Sequence, residues 1–103
     1  MGERAAESLG RTEREIVQEK AATLGRAGER LEAALATLAE VAATWRAAVN
    51  DGDARARLAA EYEHAWRTAE TARLTLLIQR EAVGLRHHRD VDAQFPRPPR
   101  RLT

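Results

Sequence analysis

Ten positions between residues 17 and 49 repeat at intervals of four and three without a break: Val17, Ala21, Leu24, Gly28, Leu31, Leu35, Leu38, Ala42, Trp45 and Val49. That spacing is a heptad stripe, and a stripe sustained this long commits the segment to a helix that packs along one side. A second stripe follows after a short break: Leu58, Tyr62, Ala65, Ala69, Ala72, Leu76, Gln79 and Val83. Between them lies Asn50–Asp51–Gly52–Asp53. Asn or Gly there supplies a left-handed residue to end one helix, and Asp53 caps the next. So short a link makes the two helices antiparallel neighbours.

Folding the chain at Gly52 makes facing positions sum to about 104, which tests the pairing independently of the periodicity. Leu38 then meets Ala65, Leu35 meets Ala69, Leu31 meets Ala72, Ala42 meets Tyr62 and Gly28 meets Leu76. Large residues face small ones level after level, as close packing at a constant interhelix distance requires. The chain is expected to be all-α. A long, coiled-coil-like antiparallel hairpin occupies residues 1–86, and a polar loop with an extended basic, proline-containing tail occupies 87–103. The first helix is expected over about 4–49. It runs over 12–49 instead if Thr12 and Glu15 form a capping box after Gly10. The turn takes 50–53 and the second helix about 54–86.

The second helix has more apolar surface than one seam uses. Trp66, Leu74, Leu77, Ile78 and Leu85 fall on another sector, roughly 90–180° away at ~100° per residue. A helix apolar over most of its circumference is buried. Either the N-terminal segment with Leu9 and Ile16 folds back over this sector, or a second chain covers it. The expectation is a homodimer, two hairpins making a four-helix bundle through these five residues.

Composition narrows the chemistry. The chain has 103 residues and no cysteine, so disulfide frameworks, thiolate metal sites and cysteine nucleophiles are out. Ser8 is its sole serine. There is no glycine-rich phosphate loop and no H-E-x-x-H or Walker pattern. No stretch approaches the ~18 apolar residues of a membrane span. The opening Met1–Gly2–Glu3–Arg4 lacks the apolar core of a signal peptide. A soluble, cytoplasmic protein is therefore expected. The abundance of Ala and Arg fits a GC-rich, bacterial-type genome as well as it fits guanidinium chemistry. Charge is uneven: residues 1–85 carry 12 basic and 14 acidic side chains (−2), whereas residues 86–103 carry five Arg and two Asp (+3).

Three motifs carry candidate chemistry. Glu61 and His64 form Glu-x-x-His, an oxygen and a nitrogen ligand on one helix face, the pairing used by di-iron and di-manganese bundles. A full site needs two such motifs and two further glutamates, which a dimer of hairpins supplies in principle. Glu40 lies level with His64 but points about 160° away from the first helix's seam. On this one motif the hairpin resembles the encapsulated ferritin-like proteins, which are short two-helix chains. The resemblance implies a divalent metal at Glu61 and His64 and a ferroxidase-like activity, the single catalytic option on offer. His87 and His88 with Asp90 and Asp92 form a second possible ligand group, set against the reading that they meet the open carbonyls and negative dipole end of the second helix.

The third motif is the tail. Pro96–Arg97–Pro98–Pro99–Arg100–Arg101 fits P-x-x-P-x-R, a polyproline pattern for aromatic grooves. Its readings, in order of preference, are Phe95 and Leu102 packing on the chain's own hairpin, Phe95, Arg97, Arg100 and Arg101 docking on a protein partner, and weak contact of those arginines with nucleic acid. The expected function is that of a non-enzymatic helical scaffold or protein–protein interaction module that self-associates through the surplus face of its second helix. Metal binding and nucleic-acid contact are the alternatives.

Overall fold

The computed structural model describes residues 2–103 and contains three helices: α1 (Glu3–Ala47), α2 (Gly52–Ala82) and the single-turn-scale α3 (Arg89–Gln94), with no strand among the described residues. The two long helices pack as an antiparallel hairpin and an extended tail follows α3. Among the described residues no helix is long and apolar enough to cross a membrane.

The ends of the long helices are set by local chemistry. Asp51 is the N-cap of α2, its carboxylate accepting from the Ala54 amide at 3.0 Å. The helix therefore starts at Gly52, and Asp53 joins the first turn, where its charge favours the dipole, in place of the cap expected of it. The turn needs no left-handed residue: among the described residues, Gly84 alone has positive φ. That glycine stops α2. At φ 91° it lets the Leu85 amide reach the Arg80 carbonyl (2.9 Å) and its own amide the Glu81 carbonyl (3.0 Å), a Schellman closure. Hence α2 ends at Ala82, short of the expected 86, and the expected polar loop contains α3.

The seam forms the core. Leu38, Ala42, Tyr62, Ala65 and Ala69 make one buried cluster, with Leu35 against it. Leu31, Ala27, Leu76 and Val91 make a second, with Leu24, Leu35 and Ala72 against it. Bulky leucines of α1 thus sit over the alanines of α2, as the sum rule requires. The stripe is not buried along its whole length. Val17 and Val49, both in the heptad register, are exposed. With 45 residues in α1 and 31 in α2, α1 is 45 − 31 = 14 residues longer. Its first turns run past the end of α2 and have nothing to pack on. All residues from Arg4 to Leu9 and from Arg11 to Ala22 are exposed.

The C-terminal segment turns back and lies along one side of this frame. Val91 and Phe95 join the second cluster and Leu102 the first. One face of the hairpin is thereby covered by its own chain.

Candidate interaction surfaces

On α2 the positions just after each seam residue, Trp66, Glu70, Arg73, Leu77 and Arg80, line up at helical spacing. These positions hold the C-terminal segment. Arg73 is 2% exposed, the one charged residue that is buried among the described residues. Its guanidinium donates to the Phe95 carbonyl at 2.6 Å and to Asp92 at 3.3 Å. Arg80 donates to the His87 carbonyl and to Asp90, both at 2.9 Å, and its Nε stands 3.3 Å from His88 Nδ1. Farther along, the Tyr62 hydroxyl donates to the Pro99 carbonyl. Arg100 lies 4.4 Å from the Trp66 ring centroid and 3.3 Å from Glu63, and Arg97 pairs with Glu70 at 3.7 Å. The segment offers backbone carbonyls because its prolines leave it without helical or sheet bonding, and arginine and tyrosine donors satisfy them.

These contacts shift two groups. Burial pushes the Tyr62 phenol up, against the opposing pull of Arg46 and Arg100. For Asp90, desolvation works to raise the carboxyl, but hydrogen bonds from backbone amides and the Arg80 guanidinium outweigh it and hold the group below its usual range.

The residues singled out in the sequence are now placed. Phe95 is half-buried in the second cluster, and Arg97 and Arg100 are engaged on the hairpin. Arg101 is exposed beside Trp45 and Leu102. The surplus sector of α2 is divided. Trp66 and Leu77 lie half-buried against the two core clusters, on the side the C-terminal segment covers. Leu74, Ile78 and Leu85 are open, at 57%, 54% and 40% exposure. Glu61 and His64 are exposed, beside Thr37, Val41 and the Arg57 side chain. No group of three or more His, Cys, Asp or Glu converges among the described residues. His87, His88 and Asp90 gather around Arg80, with His88 Nε2 also 3.2 Å from Glu81, so a guanidinium organises this corner. Arg73 is the functional residue that sequence reasoning missed. Its position beside the seam, between Trp66 and Leu77 at helical spacing, was the available signal.

The opposite face is open. Ala27, Arg30, Ala34 and Thr37 of α1 face His64, Thr68, Thr71 and Thr75 of α2 across a groove of about 640 Å³. Small side chains on both walls leave backbone close to the surface, a shape that receives a helix. Its charged walls are basic, Arg30 and Arg67 with His64 nearby.

Fold and surfaces together define an all-α hairpin with one face strapped by its own C-terminal segment and the other open. No protein-family model, curated protein or solved structure matches the chain.

Proposed function

We propose that the protein is a non-enzymatic helical scaffold that works by self-association, through the apolar surface that its own tail leaves uncovered. The carrying observation is the asymmetry of cover: one side of the hairpin holds the C-terminal segment, while the groove lies open and Leu74, Ile78 and Leu85 stay largely exposed. Exposed aliphatic residues clustered beside a small-residue groove are the signature of an interaction surface. Two hairpins meeting there make the four-helix bundle anticipated from the apolar sector. The proline–arginine segment acts in this reading as a strap within the fold. Arg97, Arg100 and Phe95 are engaged on the hairpin and Arg101 alone stays exposed, which argues against phosphate or partner docking as its main role. The Glu61–His64 pair has no third ligand beside it among the described residues, and Arg57 brings positive charge to the same spot. Nothing therefore favours the metal reading over the scaffold.

Sedimentation velocity tests the proposal. The wild-type chain is expected at twice its 11.4 kDa mass, and Ile78→Asp at the monomer mass with unchanged helicity, since Ile78 is exposed within one chain. A wild-type protein that stays monomeric at every concentration overturns it.

A further inference from the structure

We infer that the occupant of the open groove is the overhanging first segment of α1 from a second copy of the chain, exchanged reciprocally about a two-fold axis. The inference rests on the self-association proposed above and specifies its geometry.

Three observations converge. The first is length. Residues 4–22 of α1 are exposed, apart from Gly10, and run past α2; at 1.5 Å per residue they extend about 27 Å. The groove face of α1, from Ala27 to Val41, runs about 21 Å on the same rise. The second is direction. At ~100° per residue, Leu9, Thr12 and Ile16 fall on the same side of α1 as Ala27, Ala34 and Thr37. The overhang's apolar stripe and the groove therefore face the same way on one rod. Two rods placed antiparallel with these sides together bring each overhang onto the other's groove. The third is apolar exposure. Leu9 and Ile16 are 58% and 50% exposed, large side chains with no cover in one chain, opposite walls of Ala and Thr with room for them.

Charge gives one register contact and no net attraction: residues 4–22 carry four Glu, three Arg and Lys20, a net of 4 − 4 = 0, and of the groove's two arginines Arg67 pairs with Glu63 on its own helix at 2.9 Å while Arg30 lines the α1 wall. An axis near residue 22 makes facing positions on the two α1 helices sum to about 45, by the same level-counting that pairs α1 with α2. Leu9 then lies level with Thr68, Ile16 with Thr75, and Glu15 with Arg30 of the other copy. The same patch serves both subunits, as a closed two-fold contact requires.

The absence of cysteine makes the arrangement directly testable. Leu9→Cys and Thr68→Cys chains, mixed and oxidised, are expected to give a disulfide-linked heterodimer. Neither variant alone is expected to cross-link, because each residue lies about 40 Å from its symmetry mate at 1.5 Å per residue. In parallel, Leu9→Asp/Ile16→Asp should halve the sedimenting mass to 11.4 kDa, with the hairpin's thermal transition retained because both side chains are exposed. Dimers that survive the double substitution, or dimeric protein that fails to form the Leu9→Cys/Thr68→Cys link, overturn the overhang as occupant while leaving self-association intact. A wild-type monomer overturns both readings.

Discussion

Arg73 shows what a single side chain does in this molecule. Its stem lies where an apolar residue would sit, and its head meets a carbonyl and a carboxylate of the returning chain. A buried guanidinium is tolerated only when its donors are used. Arg73→Ala removes the anchor and leaves the Phe95 carbonyl without its donor; a loss of about 2–3 kcal/mol is expected in chemical denaturation. Arg73→Lys should recover little, because an ammonium does not span two acceptors as the planar fork does. Tyr62 is the second anchor. Its phenol is pushed above the ordinary value of 10.0. A group whose folded-state pKa is raised gives stability that is complete below the unfolded pKa and lost as pH rises through the folded one. Unfolding free energy should therefore decline as pH climbs past about 10. Tyr62→Phe should abolish that alkaline limb and cost about 1 kcal/mol at neutral pH.

At the scale of elements, the ends of α2 govern where the neighbouring segments go. Asp51 caps one end by a hydrogen bond to Ala54, and Gly84 closes the other with a left-handed residue. Gly84→Ala meets no steric neighbour within 4 Å, so its expected cost of about 1 kcal/mol comes from backbone conformation alone. A drop in Tm with an unchanged circular-dichroism spectrum would show it. Just beyond, Asp90 sits in the first turn of α3 and is paired with Arg80 at 2.9 Å. Its carboxyl is held low, so its contribution is present above the unfolded value of 3.8 and fades as pH falls through the lowered one. Asp90→Asn should flatten the acid side of the stability curve.

The whole molecule is a rod of 76 × 21 × 15 Å with a radius of gyration of 20.1 Å, against the ~13 Å of a compact domain of this length. Such a shape buries little per residue, and the surplus is concentrated in the overhang of α1 and the groove beside it. A helix of about 20 residues without packing is marginal in water. Amides of residues 4–22 should exchange quickly in dilute monomer and become protected as concentration rises into the dimer range. Concentration-independent exchange would count against the exchanged arrangement.

Much of this architecture was legible in the chain. The four–three spacing of the leucines and the run Ala65, Ala69, Ala72 specified two helices, their antiparallel register and the packing of large on small, because periodicity and volume are local properties that only one close-packed pairing satisfies. The excess of apolar residues on α2 was legible too, as a quantity of surface, but its destination was not. Trp66 and Leu77 lie under the returning tail, while Leu74 and Ile78 do not, and no feature of the four side chains taken alone separates them. What separates them is the path of the last fifteen residues. Prolines free that segment's carbonyls, and the donors that capture them, on Arg73 and Tyr62, lie some twenty to forty residues earlier in the chain. Hydrogen bonds between groups so distant in sequence exist only once the hairpin has brought its faces into being, so the tertiary structure alone decided which face is closed and which stays open.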